Sequence, residues 1–140
     1  GAGGVVPSII YALNKMEVSK IIISNRTKKK AKDLKDQFKN IDLVEWGKLP
    51  EYDVIINATS LGLNNETIDL DFSNNVNNKL FYDVIYNPGE TNFLKEAKKF
   101  GHKAENGRLM FIYQALEAFR LWHKVEPKIT EETLKLLKND

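Results

Sequence analysis

A glycine turn that runs into a helix-length apolar segment is the feature that most constrains this chain. Gly1-Ala2-Gly3-Gly4 leads into Val5 to Leu13, then into Ile21-Ile22-Ile23 and Asn25-Arg26-Thr27. Turn, helix and strand in that order read as part of a parallel α/β unit. Gly1 and Gly3 lack a Cβ, so the backbone can approach a diphosphate closely, and the helix start offers it N–H groups. The position about twenty residues on separates the two nicotinamide dinucleotides. An acid there takes the ribose 2′-hydroxyl of NAD, whereas an arginine accommodates the 2′-phosphate of NADP. The residue is Arg26, so the turn reads as the phosphate loop of an NADP(H)-binding, Rossmann-like unit. Val6 stands where a third glycine is usual. Because the unit opens at its phosphate loop, its first strand is expected to be missing, upstream of Gly1.

At 140 residues the chain is large enough for one domain with a substantial core. A formal net charge of +2 gives no reason to expect nucleic acid as a partner. The absence of cysteine excludes disulfides, thiolate zinc sites and a cysteine nucleophile, and is compatible with the cytoplasm. No apolar run approaches the ~20 residues of a membrane span, so no membrane partner is expected. His102 and His123 stand apart, without metal-ligand spacing, and both read as surface residues.

Short β-rich runs alternate with longer amphipathic ones. The pattern predicts helices over 5–15, 28–39, 91–99, 109–123 and 130–138. It predicts strands over 21–24, 42–46, 54–56, 80–86 and 103–105. Pro7 falls in a first helical turn, where its missing N–H costs nothing. Thr27 and Thr91 read as N-caps and Gly101 as a helix stop. Residues 61–78, rich in Asn, Asp and Ser, read as a loop. The expected fold class is α/β: a parallel sheet with helices on both faces, lacking its first strand.

Further groups fall at strand ends, where open α/β sheets bind ligands. Lys28-Lys29-Lys30, soon after Arg26, needs no function as a solvated first turn of a helix, but its position also suits a nearby 2′-phosphate. Asn57, Ala58 and Thr59 leave a buried strand with small side chains, so their backbone can pass close to a ribose or nicotinamide. Tyr86 ends another strand, and Gln114 lies about two helical turns past Gly107. Both can hydrogen-bond a polyhydroxylated substrate. Asp83 sits in an apolar strand and needs partners that the sequence does not name. Trp46 and Trp122 read as core or interface anchors.

In order along the chain stand Gly1-Ala2-Gly3-Gly4, Asn25-Arg26-Thr27, Asn57-Ala58-Thr59-Ser60-x-Gly62, Tyr82-Asp83-x-x-Tyr86, Gly89-x-Thr91-x-Phe93-Leu94 and Asn106-Gly107-x-x-Met110-x-x-x-Gln114 through Trp122. This series closely resembles the C-terminal half of shikimate dehydrogenase, and the resemblance covers essentially all of the chain. It implies NADP-dependent reduction of 3-dehydroshikimate to shikimate, a step toward aromatic amino acids. It implies that Gly1, Ala2, Gly3, Gly4 and Val5 hold the diphosphate, and that Asn25, Arg26, Thr27 and the lysines through Lys30 hold the 2′-phosphate. Val84 and Gly107 would lie by the nicotinamide, and Tyr86 and Gln114 would touch the substrate. The family's proton-transferring lysine–aspartate pair lies in its N-terminal domain. No catalytic residue is therefore expected here, and the chain alone is expected to be inactive. Residues 109–140 are expected to pack toward that N-terminal domain, and a homodimer is a further expectation. Arg108 stands where the family usually has an apolar residue. The rival readings are a quinate/shikimate dehydrogenase using NAD, a non-catalytic NADP(H)-binding module, and a Rossmann domain acting on folate or glutamyl-tRNA.

Overall fold

The structure, a computed structural model, describes residues 1–70 and 78–136. Its helices are α1 (Val6–Lys15), α2 (Lys28–Gln37), α3 (Asn92–Lys99), α4 (Arg108–His123) and α5 (Glu131–Leu136). Its strands are β1 (Ile21–Ser24), β2 (Ile41–Val44), β3 (Val54–Asn57), β4 (Leu80–Asp83) and β5 (Lys103–Glu105). Every strand pair is parallel; α2 connects β1 to β2 and α3 connects β4 to β5, as in a Rossmann-like α/β fold. Among the described residues the chain falls into two compact units, the first of Gly1–Asp53 with residues 69–70 and the second of Val54–Ile68 with residues 78–136.

In the first unit, β1 pairs with β2 from Ile21 opposite Ile41 to Ser24 opposite Val44. Its core gathers Val6 and Ile10 from α1, Ile21, Ile41, and Ala31 and Leu34 from α2. Burying each large aliphatic contributes about 1.5–3 kcal/mol. The Lys35 ammonium, on α2, donates to the Ile41 carbonyl and lies 3.5 Å from Asp42, which ties the helix to β2. Asn40 donates to Asn14 at 2.6 Å, joining the end of α1 to the approach to β2.

In the second unit the strand order is β3-β4-β5. Phe81 at the centre of β4 is fully buried, with Phe93 of α3 at 5.3 Å and the His102 ring stacked at 4.8 Å. The spacing of Phe93, Leu94 and Ala97 explains the placement of α3: all three are buried on one face. The Thr91 hydroxyl accepts from Leu94 N at the start of that helix. Gly101, at φ +76°, ends it in a conformation that a side chain would oppose. α4 differs, since Ile112 is its only buried residue while Leu109, Tyr113, Phe119, Leu121 and Trp122 are exposed.

Several expectations need correction. Thr27 occupies the N-cap of α2, but its side chain makes no capping bond. His102 is buried, because it packs on Phe81 and its Nδ1 accepts from Lys79 N at 3.4 Å. Trp122 is 77% exposed, so it anchors no core within the described residues. The 80–86 strand stops at Asp83, whose carboxylate takes up the Ile85 N–H and turns the chain away from ladder pairing. The expected strand over 42–46 lies at Ile41–Val44. Residues 71–77 of the expected loop, and 137–138 of the expected last helix, lie outside the described residues.

Candidate functional site

In the first unit the glycine turn meets the end of β1. Gly1 N donates to the Ser24 carbonyl at 2.7 Å, and Val6 N donates to the Gly3 carbonyl at 3.1 Å, closing the turn. Gly3 and Gly4 are exposed, and a Cβ on Gly4 would meet nothing within 4 Å. Bare backbone therefore faces open space at the start of α1, a shape that admits a diphosphate. Ala2 and Val5 are half-buried beside it.

Immediately after β1, Asn25 Nδ2 donates to the Thr27 carbonyl at 2.9 Å and folds the chain into α2. Arg26, Thr27 and Lys30 are exposed. Lys28 pairs with Glu45 at 3.8 Å, whereas Arg26 and Lys30 make no ion pair among the described residues. Three lysines open α2, no acid stands in its first turn, and no side chain caps it. Cations at the positive end of a helix are unfavourable by about 0.3–1 kcal/mol each. An anion bound there would reverse that sign.

The second unit brings together Asn57, Thr59, Val84 and Gly107. The register of the sheet sets Asn57 beside Asp83. Val84 N donates to the Asn57 carbonyl at 3.0 Å, and Gly107 N donates to the Ile85 carbonyl at 3.1 Å. A Cβ on Gly107 would collide with the Val84 carbonyl, so only glycine lets α4 start so close to the end of β4. Asn106 holds that start from both sides. Its Nδ2 donates to the Gly89 carbonyl at 2.8 Å and its Oδ1 accepts from Arg108 N at 3.1 Å. Ala58 is half-buried in the turn after β3.

Tyr86 is exposed, and its ring stacks on Phe111 of α4 at 4.5 Å. Gln114 is exposed one turn further along that helix, so Tyr86 and Gln114 are placed along one side of α4. Arg108 is half-buried, and its Nε has no acceptor among the described residues.

The partners of Asp83, unnamed by the sequence, are now explicit. Its Oδ1 accepts from Asn57 Nδ2 at 3.1 Å and from Ile85 N at 3.0 Å, and its Oδ2 accepts from Thr91 Oγ1 at 2.6 Å. Burial pushes the carboxyl above the ordinary aspartate range, while the bonds from Thr91, Ile85 and Asn57 pull it back. The available signal was an acid inside an apolar strand, since such a group requires several donors. Thr91 was legible only as a helix cap.

The family model described as shikimate / quinate 5-dehydrogenase matches residues 1–84. The chain belongs to this family. It is 54% identical over 138 residues to the shikimate dehydrogenase (NADP(+)) of Pelagibacter ubique, covering 98% of this chain and 52% of that protein. Shikimate dehydrogenase from Aquifex aeolicus has a similar fold (TM-score 0.80, 34% identity), covering 100% of this chain and 52% of that one. So does the quinate dehydrogenase of Corynebacterium glutamicum solved in complex with NAD (TM-score 0.86, 29% identity), covering 99% of this chain and 53% of that one. The chain spans about half the length of the curated relatives it matches.

Proposed function

We propose that this chain is the NADP(H)-binding part of a shikimate dehydrogenase that reduces 3-dehydroshikimate to shikimate. The observation that carries the reading is in the first unit. A glycine-rich turn is bonded to the last residue of β1, and two residues later stands Arg26, which makes no ion pair among the described residues. In this reading Gly1, Ala2, Gly3, Gly4 and Val5 hold the diphosphate. Arg26 and Lys30, with Asn25 and Thr27 shaping the bend, hold the 2′-phosphate. A guanidinium presents planar, multidentate donors to a phosphate monoester, and a bound phosphate would also offset the uncapped, lysine-rich start of α2.

The second unit would receive the nicotinamide at Val84, Gly107 and the turn of Asn57, Ala58 and Thr59. Tyr86 and Gln114 would hydrogen-bond the hydroxyls of the substrate. The bound cofactor supplies the hydride. These residues orient the reacting groups, a contribution that lowers the barrier without acid–base chemistry. We assign proton transfer to residues beyond this chain, so the chain alone is read as inactive. The exposed apolar side chains of α4 are read as packing on that further part of the protein. The protein is read as cytoplasmic and as a homodimer.

The deciding experiment measures turnover of shikimate with NADP+ and with NAD+ by the complete natural polypeptide that carries this chain. Preference for NADP+, lost in Arg26→Ala, supports the reading. Equal use of both cofactors would instead favour the NAD-using quinate/shikimate dehydrogenase, to which the Corynebacterium fold lends weight. Binding of NADP+ without turnover would favour a non-catalytic module. Turnover by the isolated chain would overturn the placement of proton transfer elsewhere.

A further inference from the structure

We propose that Asp83 is a positioning residue for the nicotinamide-facing edge of the second unit. It fixes the turn after β3 and the segment after β4 through Asn57, Ile85 and Thr91. The inference rests on the cofactor reading above.

The hydrogen bonds around Asp83 admit one arrangement of donors and acceptors. All three of its partners donate: the Asn57 amide, the Ile85 N–H and the Thr91 hydroxyl. A carboxylate accepts only, and suits all three at once. The Thr91 hydroxyl oxygen itself accepts from Leu94 N at 3.5 Å, so its proton points to Asp83. Asn57 cannot flip. Its Nδ2 donates to Asp83 and to the Leu61 carbonyl, while its Oδ1 accepts from Thr59 N at 3.0 Å and Thr59 Oγ1 at 2.7 Å. Thr59 Oγ1 in turn accepts from Leu61 N at 3.1 Å. The direction set at Asp83 thus runs through Asn57 into the whole turn.

Packing supports the same constraint. Gly62 ends the turn at φ +117°, and a Cβ there would lie 3.1 Å from Thr91 Cγ2 and 3.3 Å from Ile85 Cδ1. The turn therefore rests on the very residues that Asp83 holds. Asp83 and Thr91 are almost wholly buried, so water does not replace a lost partner. Asn57 to Thr59 and Val84 to Tyr86 are the segments proposed to meet the nicotinamide and substrate. The first-unit residues proposed to meet the adenosine end make none of these bonds.

That separation gives the test. In the complete natural polypeptide, the dissociation constants of NADP+ and of 2′,5′-ADP, which lacks the nicotinamide, are measured for the unsubstituted protein, Asp83→Asn, Thr91→Val and Thr91→Ser. Asp83→Asn sets an NH2 against a donor. Thr91→Val keeps the shape of the side chain and removes the hydroxyl. Both are expected to weaken NADP+ about 10-fold or more, with 2′,5′-ADP changed less than about 2-fold. Thr91→Ser, which keeps the hydroxyl, is expected to restore NADP+ affinity. If Thr91→Val weakens both ligands equally, or neither, Asp83 has no positioning role. If the unsubstituted protein binds neither ligand, the cofactor reading itself fails and takes this inference with it.

Discussion

Gly4 and Gly107 both stand where the cofactor is proposed to bind, and they are glycine for opposite reasons. A Cβ on Gly4 would enter open space, whereas one on Gly107 would strike the Val84 carbonyl. The contrast extends to the units that carry them. The first unit leaves its proposed binding groups open to solvent: the backbone at Gly3 and Gly4, and the cations Arg26 and Lys30. The second engages its polar groups with one another, as Asn57, Thr59, Asp83 and Thr91 form one hydrogen-bonded set. Open, charged groups suit a strongly hydrated phosphate, whose attraction is long-ranged and tolerant of geometry. A nicotinamide that must deliver hydride to one carbon needs walls already fixed in place.

The largest expected effect breaks the contrast at its glycines. Gly107→Ala forces backbone apart at the start of α4 and is expected to cost about 3 kcal/mol or more. Gly4→Ala is expected to change stability by less than about 0.5 kcal/mol. Urea unfolding of both variants checks this, and equal losses would remove the distinction. Next in size, Arg26→Asp is expected to weaken NADP+ binding about 100-fold, as a charge-assisted bond is exchanged for repulsion. NAD+ affinity should change little, and titration calorimetry with both cofactors measures the difference. Raising salt from 0.05 to 0.5 M, values chosen to bracket a Debye length of about 10 Å, should weaken NADP+ in the unsubstituted protein more than in Arg26→Ala.

Smaller effects come from two acids of the second unit that titrate in opposite directions. Asp83 has a folded pKa above its ordinary 3.8, so the folded state holds more protons there, and stability falls as pH rises from that value. Asp83→Asn should remove that slope. Glu66 accepts from Asn64 N at 2.9 Å and Gly62 N at 3.1 Å, and the bonds from Asn64, from its own backbone N–H and from Gly62 lower its carboxyl from 4.5 to about 2. Its contribution is present above pH 4.5 and is lost as pH falls toward 2. Glu66→Gln should flatten the acid limb of the stability profile, and urea midpoints measured across that range would show it. An unchanged limb would deny Glu66 any hold on the turn.

Much of the fold was legible because its elements are locally encoded. The apolar run Ile21-Ile22-Ile23 and the helical spacing of Phe93, Leu94 and Ala97 each mark an element without outside help. Boundaries were less legible. The strand ending in Asp83 looked longer, because Val84 and Ile85 suit a strand as well as Leu80 and Phe81 do. The Asp83 carboxylate takes the Ile85 N–H that a continuing strand would offer to a neighbour. His102 looked like a surface residue because nothing beside it in sequence announces Phe81, which reaches it from β4. Thr27 had the right chemistry for a cap, but the side-chain bond is absent.

The glycine turn, the arginine after β1 and the order of helices and strands were determined by the sequence alone. They depend on properties of single residues and near neighbours: a missing Cβ, a fixed charge, a hydrophobic period. Only the tertiary structure decided what Asp83 is for. Its donors come from residues 57, 85 and 91, and the parallel register that sets Asn57 beside it is a long-range pairing. A buried carboxylate demands partners wherever the chain can supply them, and where they come from is settled only once the strands have paired.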